Sequence, residues 1–226
     1  MKYPEDYINK VIQGDCLEVM KGMPDKCVDL IVTDPPYGVN YEGGATNTFK
    51  REKLENDDTA DLYQKIYPEF HRILKDNGTA YIFYGANYEK SVFPIPLFVQ
   101  YDVLVWFKTN ASFGAANARY KQDYEPFLYL RKNNGSDWYG DSKQRKVWFE
   151  KRNAINDFHP TQKPLDIISK MLENSSKEGD IVFDPFLGSG TTAVACKQLG
   201  RKYIGIELSQ KYCDIANERL AQDLLF

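Results

Sequence analysis

The stretch that decides the fold is Ile181-Val182-Phe183-Asp184-Pro185-Phe186-Leu187-Gly188-Ser189-Gly190-Thr191-Thr192-Ala193. An apolar run stops at an acid, enters a turn holding two glycines, and leaves through a helix-forming segment, Val194 to Leu199. Such a strand–glycine loop–helix unit lets a backbone approach a nucleotide closely. Gly200 ends the helix, and Tyr203-Ile204-Gly205-Ile206-Glu207 reads as the next strand with an acid at its tip. Glu207 lies nineteen residues after Gly188, the separation at which an acid reaches a ribose hydroxyl in units of this kind. Ser209 is placed to cap a closing helix carrying Tyr212, Ile215, Ala216 and Leu220.

Three nucleotide sites compete for this loop. A P-loop requires Gly-Lys-Ser/Thr, and Thr191 follows Gly190 directly. A dinucleotide site fits loosely through Gly188-x-Gly190-x-x-Ala193. An S-adenosylmethionine site fits better: Asp184 precedes the loop, and nothing is set aside for a pyrophosphate.

A second stretch supplies the chemistry that a methyl donor needs. Val28-Asp29-Leu30-Ile31-Val32 reads as a central strand, which Asp34-Pro35-Pro36-Tyr37 stops, since neither proline can donate to a sheet ladder. An exocyclic amine on a nucleobase is a poor nucleophile, its lone pair being delocalised into the ring. A site that accepts hydrogen bonds from both N–H groups frees that pair. Asp34 can take one bond and the Pro35 carbonyl the other; Pro36 fixes where that carbonyl points, and Tyr37 offers a face for a flat base. The plainer alternative is a strand end followed by a turn, with Tyr37 merely packed.

At 226 residues, 42% of them apolar, the chain fits one catalytic domain, residues 1–226, with a full core. No apolar run approaches a membrane span, and Met1 to Tyr7 lacks the pattern of a signal peptide. Cys16, Cys27, Cys196 and Cys213 form no C-x-x-C pair, so reduced, buried thiols in a cytoplasmic protein are expected. With His71 and His159 the two histidines, no metal site is expected. The net charge is −3, but from Trp106 to Lys163 eleven Lys and Arg face six Asp and Glu. A basic segment on an acidic protein is the footprint of a local polyanion contact, or simply a solvated face.

The rest of the chain reads as an alternation of strands and helices. Val11 to Asp15 is a short strand, with Asp15 either capping the helix that follows or reaching a ligand. Asn40 to Asp58 is a long polar stretch read as a flap over the site. Asp61 to Leu74 is an amphipathic helix that Pro68 should kink or break. Asn77-Gly78 turns the chain into a strand from Thr79 to Tyr84, and Ala86 to Phe98 is a helix interrupted by Pro94 and Pro96. Tyr101 to Phe107 and Glu125 to Arg131 are strands, the second antiparallel. Residues 132–158 show no dominant period; this short basic and aromatic insert is the candidate target-recognition segment. A helix from Leu165 to about Asn174 leads into the glycine-loop strand.

With both motifs in view, the chain resembles the β-group amino methyltransferases of DNA, in which the Asp-Pro-Pro-Tyr motif precedes the Phe-x-Gly-x-Gly loop. Here Asp34 to Tyr37 precede Phe186 to Gly190, and His159-Pro160-Thr161-Gln162-Lys163-Pro164 looks like the family's motif beside the methionine moiety. The resemblance implies a Rossmann-like α/β fold: a seven-stranded, mostly parallel sheet, helices on both faces, one antiparallel strand, and chain termini brought together by the permuted motif order. It implies S-adenosylmethionine over Phe186, Gly188, Ser189, Gly190, Thr191 and Thr192, with Asp184 before the loop and Glu207 on the ribose. Asp15 and Cys16 would lie near the adenine ring, Thr161 and Lys163 near the methionine carboxylate, and Asp34 beside the reacting methyl group.

The activity implied is methyl transfer to a flipped base in double-stranded DNA, with Asp34, Pro35, Pro36 and Tyr37 catalytic. Asp rather than Ser at position 34 favours adenine N6; cytosine N4 is the alternative, followed by RNA methylation and an inactive nucleic-acid-binding homologue. Candidate DNA contacts are Lys108, Arg119, Lys121, Trp138, Arg145, Lys146, Lys151 and Arg152. The sequence does not specify the recognition site, a restriction partner, or whether the enzyme acts as a homodimer. It leaves Trp138 and Trp148 between stacking on bases and packing, with packing favoured for Trp148 by Val147 and Phe149 beside it.

Overall fold

Leu30, Ile31 and Val32 form a run without polar interruption, and all three are fully buried. A strand buried on both faces needs helices on both faces, which is the arrangement of a parallel α/β sheet. In the computed structural model, which describes residues 1–36, 61–86, 89–110, 122–151 and 162–222, that strand sits in the middle of the sheet. The strands are β1 (Lys10–Gln13), β2 (Val28–Thr33), β3 (Leu74–Phe83), β4 (Gln100–Lys108), β5 (Tyr124–Arg131), β6 (Val147–Glu150), β7 (Ile181–Asp184) and β8 (Lys202–Glu207). The helices are α1 (Cys16–Met20), α2 (Leu62–Ile73), α3 (Glu89–Val92), α4 (Leu165–Ser175), α5 (Thr191–Gln198) and α6 (Gln210–Ala221).

The spatial order is β1-β8-β7-β2-β3-β5-β4-β6, and β5 alone is antiparallel to its neighbours. Among the described residues the expected single antiparallel strand is therefore present, but the strands number eight rather than seven. The additional one is β6, inside the segment that showed no period. Its four residues alternate exposed Val147, buried Trp148 and exposed Phe149, which is too short a run to stand out as a pattern.

Successive side chains of β2 point to opposite faces and feed two cores. Ile31 packs with Tyr63, Ile66 and Phe70 of α2, while Leu30 and Val32 pack with Ile167 and Met171 of α4 and Ala195 of α5. Phe70 meets Phe183 of β7 edge-on, ring centroids 6.4 Å apart. The closing helix α6 packs against β1, as the permuted motif order requires. Among the described residues no helix is long and apolar enough to cross a membrane.

Three local expectations are corrected. Pro68 does not break α2, which runs continuously from Leu62 to Ile73. Asn77-Gly78 is not the turn into β3 but lies within it, at a bulge where the pairing with β2 jumps from Val28↔Leu74 to Leu30↔Thr79. Glycine is needed there because a Cβ at Gly78 would lie 2.9 Å from the Asp29 carbonyl oxygen. The helix expected from Ala86 to Phe98 is confined to Glu89–Val92. Downstream, Pro94 and Pro96 remove the N–H groups that would continue it.

Phe70 is fully buried. Phe70→Ala should therefore lower stability by about 3–5 kcal/mol, read as a shift of the urea midpoint at unchanged slope.

Candidate active site

Four neighbouring parallel strands, β1, β8, β7 and β2, end at one edge of the sheet, and each delivers an acid there: Asp15, Glu207, Asp184 and Asp34. Ligands bind at this carboxyl edge in open α/β sheets. The four acids are held in four different ways.

Asp15 is the N-cap of α1: its Oδ1 accepts the N–H groups of Leu17 at 2.8 Å and Glu18 at 3.3 Å. The capping role is thus realised. Cys16, the first residue of α1, is buried, and burial pushes its thiol up to about 12. Glu207 accepts the Gly188 N–H at 2.9 Å and the Ser209 N–H at 2.8 Å. Burial raises its pKa, and those backbone bonds oppose the rise. Ser209 stands at the N-cap position of α6 without a side-chain capping bond.

Asp184 lies beneath the glycine loop rather than on it. It is 5% exposed and accepts three hydrogen bonds, from Thr33 Oγ1 at 2.8 Å, Thr192 Oγ1 at 2.6 Å and the Phe186 N–H at 3.1 Å. Burial pushes its carboxyl up to about 6, against those bonds. Asp184 and Thr192, expected to touch a donor, instead tie the loop to Thr33, the residue before Asp34. Ser189 and Thr191 are also buried, and Arg219 of α6 donates to the Ser189 carbonyl at 2.5 Å and to Thr191 Oγ1 at 3.4 Å. Gly190, at φ +86°, leaves no room for a side chain: a Cβ would lie 2.9 Å from that of Ala216. At Gly188, φ +54°, an added Cβ would meet nothing within 4 Å. The loop is therefore rigid below and open above. Phe186 is half-buried there.

Asp34 is half-buried, with Pro35 buried and Pro36 half-buried behind it. Its Oδ2 accepts a hydrogen bond from the Lys163 ammonium. Lys163 also pairs with Glu125 Oε2 at 3.1 Å and lies over the Phe83 ring, 4.8 Å from its centroid. Lys108 closes the row on Glu125 Oε1 at 2.7 Å. Burial works against the Lys163 charge, but Asp34 and Glu125 outweigh it and raise its pKa above the usual lysine value. Burial likewise works against the Glu125 carboxylate, and Lys163 and Lys108 prevail, lowering its pKa.

The expected DNA contacts are dispersed. Lys108 is engaged with Glu125 and lies 5.3 Å from the Trp106 ring centroid. Lys151 is exposed just past β6, at the active edge. Arg145 and Lys146 are exposed on the outer flank, where Lys146 pairs with Asp102. Arg145 helps line a recess of about 300 Å3 there, with Lys143, Trp148 and Lys170. Trp148 is packed, 2% exposed, its indole N–H donating to the Arg145 carbonyl at 2.7 Å. Trp138 is 42% exposed, but its neighbours Asp137 and Tyr139 bond to Asn77 and Asn174. That places it at the amino edge of the sheet, away from Asp34, where it meets Tyr129 edge-on at 6.0 Å. The stretch Asn40–Asp58, expected to be a flap, and residues Tyr37, Arg119, Lys121, Arg152 and Thr161 lie outside the described residues.

A sequence profile of the N6/N4 DNA methylases matches residues 28–218. The chain belongs to this family of DNA amino methyltransferases. It is 33% identical to the type II methyltransferase M.HinfI of Haemophilus influenzae, over 96% of this chain and 69% of that protein. A crystal structure of an M1.HpyAVI–SAM complex matches with a TM-score of 0.72 at 28% identity, covering 94% of this chain and 99% of that one. The PvuII DNA methyltransferase, described as cytosine-N4-specific, matches with a TM-score of 0.76 at 16% identity, covering 98% and 91%. At that identity the likeness is one of fold alone. The expected Rossmann-like methyltransferase fold is borne out.

The sequence reading missed Glu125 and Arg219. Glu125 had a signal: an acid before Pro126 in an otherwise apolar strand has to be paired if it is buried. Arg219 had none, since one arginine in a polar helix does not reveal that it turns inward.

Asp184 makes the stability of the site depend on pH. Its folded pKa of about 6 lies above the ordinary 3.8, so the folded state holds the proton more tightly and this contribution is lost as pH rises from about 4 to about 6. Asp184→Asn lacks that ionisation. The wild type should therefore lose on the order of 2–3 kcal/mol relative to the variant across this window, measured by urea unfolding at pH 4 to 7. A difference independent of pH would mean that Asp184 does not ionise there.

Proposed function

We propose that this methyltransferase transfers the methyl group of S-adenosylmethionine to the N6 amine of adenine in double-stranded DNA, on a base flipped out of the duplex. The observation that carries this reading is Asp34: a carboxylate at the tip of the central strand, paired with the Lys163 ammonium and tied through Thr33 and Asp184 to the glycine loop. The residues present suit the donor. The space over Gly188 is open, and Glu207 stands beside it with Asp15 on the neighbouring strand end. Glu207 would hold the ribose hydroxyls, Asp15 and Cys16 would flank the adenine ring, and Phe186 to Gly190 would support the backbone of the donor. Thr161 would face its methionine carboxylate, whereas Lys163, expected there too, has its buried ammonium committed to Asp34 and Glu125. S-adenosylmethionine, when bound, supplies an electrophilic methyl group on a sulfonium.

The protein's share of the reaction is positioning and electrostatics. Asp34 accepts one N–H of the target amine, and the Pro35 carbonyl, held in place by Pro36, accepts the other. Both bonds draw the nitrogen lone pair out of the ring and point it at the methyl group. Tyr37 stacks on the base. Asp at position 34 supports adenine as the target. The likeness to M.HinfI supports a type II modification role, in which the exposed cations Arg145, Lys146 and Lys151 meet the DNA backbone.

Transfer of label from S-adenosylmethionine to unmethylated duplex DNA, followed by digestion and mass identification of the nucleosides, tests the reading. N6-methyladenine is expected; N4-methylcytosine would keep the mechanism and overturn the base assignment. Asp34→Ala should lower the transfer rate at least about 100- to 1,000-fold while donor binding survives; a near wild-type rate would sink the mechanism. Arg145→Ala should weaken binding to any duplex about equally and reduce the salt slope of log K by about one. An unchanged slope would remove Arg145 from the interface.

A further inference from the structure

The ionic row behind Asp34 is unexplained by stability. Lys108, Glu125, Lys163 and Asp34 alternate in sign and sum to zero, and Lys163 in the middle is 9% exposed in its side chain. Removing charges from water is costly, and well-packed apolar residues often replace a buried ion pair at no loss. A row of four charges at the active edge is therefore accounted for by what it does to its last member.

The topology shows how Glu125 comes to be there. The parallel strands bring only their carboxyl ends to this edge. Because β5 runs the other way, its first residues arrive at the same edge, with Glu125 paired to Trp106 and Tyr124 to Phe107 of β4. Lys108, the last residue of β4, is thereby within reach of Glu125 from one side. Lys163, just before α4, reaches it from the other. With Asp34 alone as partner, an ammonium on a four-carbon stem could swing about the carboxylate. Held from the far side by Glu125 and from below by the Phe83 ring, its Nζ has one place.

We propose that Glu125 is a positioning residue for methyl transfer: acting through Lys163, it fixes the Asp34 carboxylate in the orientation that accepts the N–H of the target amine. Glu125 touches neither donor nor base in this scheme, which rests on the catalytic reading of Asp34 given above. A misplacement on the order of 1 Å costs an enzyme roughly a hundredfold in rate, so a lost brace shows in the chemical step and not in binding.

The test is single-turnover methyl transfer at saturating DNA and donor, with the donor Kd measured on the same preparations. Glu125→Gln should lower the transfer rate constant about tenfold to a hundredfold and leave the donor Kd within about threefold. Glu125→Asp, which keeps the charge, should retain more of the rate. In a Lys163→Met background, Glu125→Gln should cause no further loss, because the residue through which it acts is gone. Should Glu125→Gln fail to fold, Lys108→Met loosens Glu125 from its outer side and should lower the same rate constant severalfold. A wild-type rate in Glu125→Gln, a loss confined to donor Kd, or independent losses in the double variant would each overturn the proposal. So would a wild-type rate in Lys108→Met if that variant alone can be made. Asp34→Ala is the control: if it too transfers at the wild-type rate, the catalytic reading fails, whereas an inactive Asp34→Ala beside a fully active Glu125→Gln removes only the role of Glu125.

Discussion

Four carboxylates meet at one edge of a parallel sheet, from the buried Asp184 to the exposed Asp15, and the site is built from the different partners that each one takes. Asp15 uses the free N–H groups at the start of α1. Glu207 uses two backbone N–H groups, one of them from the glycine loop. Asp184 uses two hydroxyls and an N–H, all uncharged, and burial raises its pKa in spite of them. Asp34 is given a full opposite charge. Glu207 and Asp184, bonded to neutral groups, hold the loop, whereas Asp34 is the acid paired with an ammonium.

The same bonds couple the two halves of the site. Gly188 and Phe186, on opposite sides of the loop, donate to Glu207 and Asp184, so the loop's backbone is fixed by acids from two different strands. Thr33 shares Asp184 with Thr192 and stands directly before Asp34. Donor loop and acceptor carboxylate are thus two hydrogen bonds apart through a fully buried bridge. A reaction that aligns nitrogen, carbon and sulfur in a row depends on that rigidity.

Much of this was legible, and the failures share a cause. The β2 run, the glycine loop and the motif order specify strand direction and site location through local chemistry, and the structure agrees with them. Asn77-Gly78 misled because the pair is the strongest short turn signal; only the register against β2 shows a bulge. β6 was invisible because four residues cannot display a period. Asp184 and Thr192 read as ligand contacts because motif position reports neighbourhood and not which way a side chain points; both turn under the loop. Trp138 lay in the segment read as the candidate for target recognition, but the chain carries it to the opposite edge of the sheet.

The basic segment from Trp106 to Lys163 shows why charge counts need a fold. Its excess suggested a polyanion surface, yet three of its lysines are spent inside. Lys108 serves Glu125, Lys163 serves Asp34 and Glu125, and Lys132, 8% exposed, donates to the Leu74 carbonyl at 2.6 Å. These cations appear in the sequence beside the exposed ones because β4, β5 and the approach to α4 all cross the site. What remains outward among the described residues, Lys143, Arg145, Lys146 and Lys151, is gathered along the β6 flank and its end at the active edge. Part of the positive excess is the interior counterweight to buried and strand-tip acids, and the part left on the described surface is narrower and lies to one side of Asp34.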